Sequence, residues 1–150
     1  MRKILAALLL VASAACRTAQ PAATGTGGSV DAGAGAADGP GAVERFLGAA
    51  RAADVQAMAQ LFGTSDGPIS NRDPAAEIEK RMRALQCYLT HDGSRLLGAA
   101  PGPSGKQVIQ VELRQRELTR QTRFTVVPGP RRRWFVESFE INSLSDFCRP

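Results

Sequence analysis

Histidine, tyrosine and tryptophan each occur once in this chain, and cysteine three times. With His91 alone there is no second imidazole to complete a tetrahedral site with Cys87 and Cys148, which lie far apart in sequence. No metal and no cofactor is therefore expected. Aromatic residues are scarce, at 5%, so the stacking platform a nucleic-acid reader would want is missing, and nucleic acid is not expected as a partner. The glycine runs in 17–41 have no strand before them and no Gly-Lys-Ser/Thr ending, which excludes a phosphate-binding loop. The apolar run at 4–11 is too short to cross a bilayer as a stable anchor. Acidic residues are few enough to leave a formal net charge of +5, too mild to argue by itself for a polyanion.

The N-terminus has the layout of an export signal over 1–15. Arg2 and Lys3 form a basic start, the apolar run follows, and Ala12-Ser13-Ala14-Ala15 is a zone of small residues. Removing it takes the mature charge to about +3. Ser13-Ala14-Ala15-Cys16 resembles a bacterial lipobox, with Ser13 where an aliphatic is usual. The resemblance implies cleavage before Cys16, lipidation of that cysteine and a place in the cell envelope. Arg17, a non-aspartate after the cysteine, implies the outer membrane by the enterobacterial sorting pattern. The alternative is ordinary cleavage after Ala14, which gives a soluble secreted or periplasmic protein. The odd cysteine count favours the lipoprotein. Lipidation of Cys16 leaves Cys87 and Cys148 as a pair suited to an oxidising compartment. Several acyl chains on one residue give stable membrane attachment where a single chain is marginal.

Residues 17–41 hold one bulky aliphatic, Val30, and no aromatic. Such a composition cannot offset its ordering entropy, so 16–41 is expected to be a lipidated, disordered tether with a reach of roughly 25–30 Å. The folding part is then 42–150. A helix is expected over 42–53, with Val43, Phe46, Leu47 and Ala50 as its apolar stripe. Asp54 should cap a second helix carrying Val55, Met58, Leu61 and Phe62, closed by Gly63. Residues 64–71 are expected to form a loop. Asp73-Pro74 reads as N-cap and first turn of a third helix whose buried face is Ile78, Met82, Leu85 and Leu89. A turn at Asp92-Gly93, a short strand at 94–98 and a loop at 99–105 come next. Period-two alternation then predicts strands at 107–114, 118–127 and 134–141. Arg120 interrupts an apolar row and marks an edge or rim. Trp134 and Val136 have one parity and Phe139 and Ile141 the other, so a β-bulge is expected near Glu137-Ser138.

Helices followed by a curved antiparallel sheet give an α+β fold class. The core pattern Val43-Glu44-Arg45-Phe46-Leu47, then Asp54, Met58 and Leu61-Phe62, with the ending Trp134-Phe135-Val136-Glu137-Ser138-Phe139-Glu140-Ile141, resembles the nuclear-transport-factor-2-like cone superfamily. The resemblance implies either a non-enzymatic binding or assembly module or an isomerase- or hydratase-like enzyme. It also implies that a homodimer through the sheet is open. Met82, Leu85, Ile109 and Phe124 would line a pocket for a small apolar ligand, and an envelope protein is the other partner expected. Isomerases of the superfamily place acid, base and tyrosine inside the cone. Tyr88 is the sole tyrosine, and Tyr88, His91 and Asp92 lie around a helix end, where they should splay into solvent. A third reading is a polyanion-binding module. Arg114, Arg116, Arg120 and Arg123 lie on the middle hairpin, and Arg131, Arg132 and Arg133 form a basic rim at a turn.

Overall fold

The computed structural model describes residues 33–149. The expected signal segment at 1–15, Cys16 and the expected tether up to residue 32 lie outside the described residues. Asp38 opens the first helix, α1 (Gly39–Arg51), by accepting a hydrogen bond from the Gly41 amide at 2.7 Å, and Pro40 occupies the first turn, where a missing N–H costs nothing. The helix thus starts at Gly39 rather than 42. Asp54 caps α2 (Val55–Leu61) as expected, accepting from Ala57 N at 2.9 Å. Gly63 does not close that helix in a left-handed conformation. It belongs to β1 (Gly63–Thr64), paired antiparallel with β2 (Gly67–Pro68), where any Cβ would collide with the Gly67 carbonyl. The expected loop is therefore a small hairpin and a 3₁₀ turn (Ile69–Asn71).

The third helix, α3 (Ala75–Tyr88), begins one residue later than expected. Pro74 takes the cap position without a side-chain bond, and Asp73 reaches to Arg81 at 3.0 Å instead. Ile78, Met82 and Leu89 are buried and Leu85 is half-buried, so the predicted face is the inner one.

Four antiparallel strands follow in the order β3-β4-β5-β6: β3 (Gly93–Pro101), β4 (Gln107–Gln115), β5 (Leu118–Pro128) and β6 (Trp134–Phe139). With the helices before it, this curved sheet makes the α+β class. The alternation puts Ile109, Val111 and Leu113 of β4, and Thr122, Phe124 and Val126 of β5, into the core. Helix α1 lies against β4, β5 and β6, with Val43, Phe46, Leu47 and Ala50 facing inward. Thr125 pairs with Ser138 and Val126 with Val136, so Glu137 is the extra residue of a bulge, where the parity change placed it.

In the sheet, two further stretches differ from the sequence reading. β3 runs on through Ala99, Ala100 and Pro101, which were expected to be loop. It is an edge strand, where small residues and a proline are tolerated, and it bulges at Leu97. β6 ends at Phe139. Ile141 opens a 3₁₀ helix (Ile141–Cys148) and is exposed rather than part of a strand. That helix packs on α3 and β5, burying Leu144 and Phe147. Its last residue, Cys148, is bonded to Cys87 near the end of α3, with Cα atoms 5.0 Å apart.

Candidate functional site

Met82, Ile109 and Phe124 are fully buried and Leu85 is half-buried; all four belong to the apolar cluster between sheet and helices. Four clefts among the described residues are lined by other side chains. They lie on the outer sheet face around Arg95, Glu112 and Arg114 (≈ 330 Å³), along β3 from Ala99 (≈ 390 and ≈ 470 Å³) and at Phe139–Ser143 (≈ 480 Å³).

Tyr88, His91 and Asp92 do not share a site. His91 is turned inward, 5% exposed, rather than toward solvent. Its Nδ1 lies 2.6 Å from the Leu89 carbonyl oxygen. A carbonyl only accepts, so the proton sits on Nδ1. Asp92 is exposed, but its carboxylate accepts from Arg116 N at 2.6 Å, and its own N–H donates to the Arg114 carbonyl. It fastens the β4–β5 turn, in which Arg116 takes a left-handed conformation. Tyr88 is half-buried against the core. Among the described residues no group of three or more His, Cys, Asp or Glu side chains comes together to hold a metal, and no helix is long and apolar enough to cross a membrane.

Two of the four hairpin arginines are in ion pairs. Arg120 ion-pairs with Asp146 at 2.8 Å and Arg123 with Glu140; on the outer face Arg95 meets Glu112 at 3.0 Å. Arg120 lies where expected, at a rim: before Phe124, β5 pairs only with β4. On that side the 3₁₀ helix carrying Asp146 takes the place of β6, which pairs with β5 only from Phe124 onward. The hydrogen bond from Arg123 holds the Glu140 carboxyl below its usual range, and the one from Arg120 does the same for Asp146. A lowered folded-state pKa gives stability that is present above the ordinary carboxylate pKa and is lost as pH falls through the lowered one. The urea midpoint should therefore fall as the pH is taken from neutral to below the ordinary carboxylate range. Arg120→Gln should flatten that decline, and an unchanged pH profile would contradict the assignment.

The remaining basic feature is the turn between β5 and β6, with the chain's arrival beside it. Arg131 and Arg132 are exposed, at φ 55° and 57°, and the Arg133 amide donates back to the Pro130 carbonyl at 3.1 Å. Two consecutive left-handed residues make a type I′ turn, a geometry that Asn-Gly fills without strain. Each non-glycine costs about 1–2 kcal/mol there. Arg132→Gly should raise the unfolding free energy by about 0.5–1 kcal/mol, after subtracting glycine's own entropy cost. Urea denaturation with an unchanged slope is the check. Arg133 is half-buried and points the other way. Its Nε and guanidinium nitrogen donate to the carbonyls of Ala34 (3.2 Å) and Gly35 (2.9 Å), and Arg45 donates to Gly35 at 2.7 Å. Ala36 and Trp134 exchange both backbone hydrogen bonds at 2.9 Å. Gly35, at φ 73°, lies so close to the Phe135 ring and the Arg133 Cβ that a side chain would not fit. The expected rim of three is therefore two exposed arginines and one clamp. Composition hid the clamp, because Ala34-Gly35-Ala36 reads as linker until its carbonyls meet the two guanidinium groups.

The chain matches no protein-family model, no curated protein and no solved structure.

Proposed function

We propose that this chain is an exported lipoprotein of a bacterial cell envelope, tethered at Cys16, whose α+β domain is an interaction or small-ligand module rather than an enzyme. The observation that carries the reading is the Cys87–Cys148 bridge. It takes up both cysteines of the domain, and of the three in the chain only Cys16 is left. A bridge of this kind suits an oxidising compartment, and a spare thiol there is a liability unless it is modified. Cys16 stands directly after the small-residue zone of a signal-like segment, where lipidation would remove it from thiol chemistry. The order of helices followed by a curved antiparallel sheet supports the finer reading of the domain as a nuclear-transport-factor-2-like cone. The separate structural partners of His91 and Asp92 support a binding role over isomerase-like chemistry.

Metabolic labelling with a radioactive fatty acid tests the tether. The wild-type chain should take up label and sediment with membranes, and Cys16→Ser should do neither. An unlabelled wild-type chain in the soluble fraction would overturn the reading.

A further inference from the structure

We infer that the Arg131–Arg132 turn is a membrane-facing contact for anionic phospholipid headgroups. The inference rests on the tethered reading above and adds which face of the domain meets the bilayer.

The geometry begins where the chain joins the domain. The carbonyls of Ala34 and Gly35 are held by Arg133 and Arg45, and Ala36 pairs with Trp134. The chain thus arrives beside the last residue of the basic turn. The sixteen residues 17–32 separate Cys16 from this point. A coil of that length typically spans roughly 20–25 Å. A domain of this size is roughly 35 Å across. A lipid on Cys16 would therefore hold the joining face nearer to the bilayer, on average, than the opposite face.

That face is basic. Arg131 and Arg132 project from the turn into solvent. Arg72, just after the 3₁₀ turn that follows the β1–β2 hairpin, reaches back to it, its guanidinium donating to the Thr64 hydroxyl at 3.1 Å. The hairpin packs against the turn, Gly67 beside Pro130 and the Thr64 carbonyl beside Gly129. Against these three arginines stand Asp66, exposed on the hairpin, Asp38, exposed at the start of α1, and Asp73, which is already paired with Arg81. On β3 and β5, by contrast, Arg95, Arg120 and Arg123 already have carboxylate partners. Guanidinium forks bind phosphate bidentately, and basic side chains beside an anchor add attraction to an anionic leaflet. The turn also keeps two arginines in a conformation that Asn-Gly would fill with less strain, which is expected of a site held for contact rather than for stability.

The test uses the exported chain carrying Cys16→Ser, its leader removed, so that no acyl group contributes whatever happens at Cys16 in the wild type. Failure of the anchor and failure of this contact are then read separately. Trp134 is the sole tryptophan and adjoins the clamp, so its fluorescence reports the approach of vesicles. Vesicles of phosphatidylglycerol with phosphatidylcholine should bind the chain at low salt, and phosphatidylcholine alone should not. R131N/R132G, which relieves the turn and keeps the fold, should weaken binding roughly thirty-fold, and R131K/R132K should retain most of it. Raising the salt should abolish the difference. Equal binding to neutral vesicles, or R131N/R132G binding like the parent, would overturn the inference.

Discussion

Replacing Cys87 and Cys148 together with alanine should lower the stability of the domain by about 4 kcal/mol. The bridge closes a loop across a sequence separation of 61. In the chain-entropy treatment, opening a loop of that length frees the unfolded chain by about that amount at room temperature. The bridge also has a local task. It fixes the 3₁₀ helix Ile141–Cys148 to the end of α3, which holds Leu144 and Phe147 in the core and Asp146 beside Arg120. An eight-residue 3₁₀ segment has little stability of its own. A loss of about 4 kcal/mol is a large part of the 5–15 kcal/mol margin usual for a domain. The melting temperature should fall by roughly 15 °C. Cys148→Ala alone should match the double variant, and so should the wild-type protein under reductant, because all three lose the same bond. Thermal unfolding followed by circular dichroism is the check. A change below about 1 kcal/mol would mean that the unfolded state gains little freedom when the bridge is lost.

Phe124→Ala should cost about 3–5 kcal/mol. Phe124 is fully buried in an interior strand, in register with Ile109 of β4 on one side and Phe139 of β6 on the other. Its ring stacks on Phe139 with centroids 5.2 Å apart. Truncation removes that contact and leaves a void between sheet and helices that a close-packed interior fills poorly. Gln121→Ala, on the outer face of the same strand, should change stability by less than about 0.5 kcal/mol. Its side chain gives up only an exposed bond to Gln110. Urea denaturation of both variants separates the two faces of β5. Similar losses for both would contradict the assignment of inner and outer rows.

Strands β4 and β5 were legible because one of their faces is buried and the other wet, which writes a period of two into the residues. The bulge at Glu137 was legible for the same reason, as a change of parity along β6. The α3 face and the Asp54 cap also follow from local rules. What escaped were segments whose order comes from partners distant in sequence. Ala99, Ala100 and Pro101 carry no alternation and become strand only because Gln107, Val108 and Ile109 lie opposite. Ala34 and Gly35 look like tether and are held by Arg133 and Arg45. His91 looked exposed because it follows a helix end, yet its Nδ1–H donates to the Leu89 carbonyl and it packs inward. Of the candidate site, the run Arg131-Arg132-Arg133 was visible. Its division into two exposed side chains and one clamp was not, because the strand partner of Ala36 cannot be read from the sequence.

The most direct measurement is the intact mass of the mature protein purified from membranes, before and after reduction. A mass that begins at Cys16, carries acyl groups and rises by two hydrogens on reduction is the expected result. A mass that begins at Ala15 without lipid, or that does not rise on reduction, would contradict it.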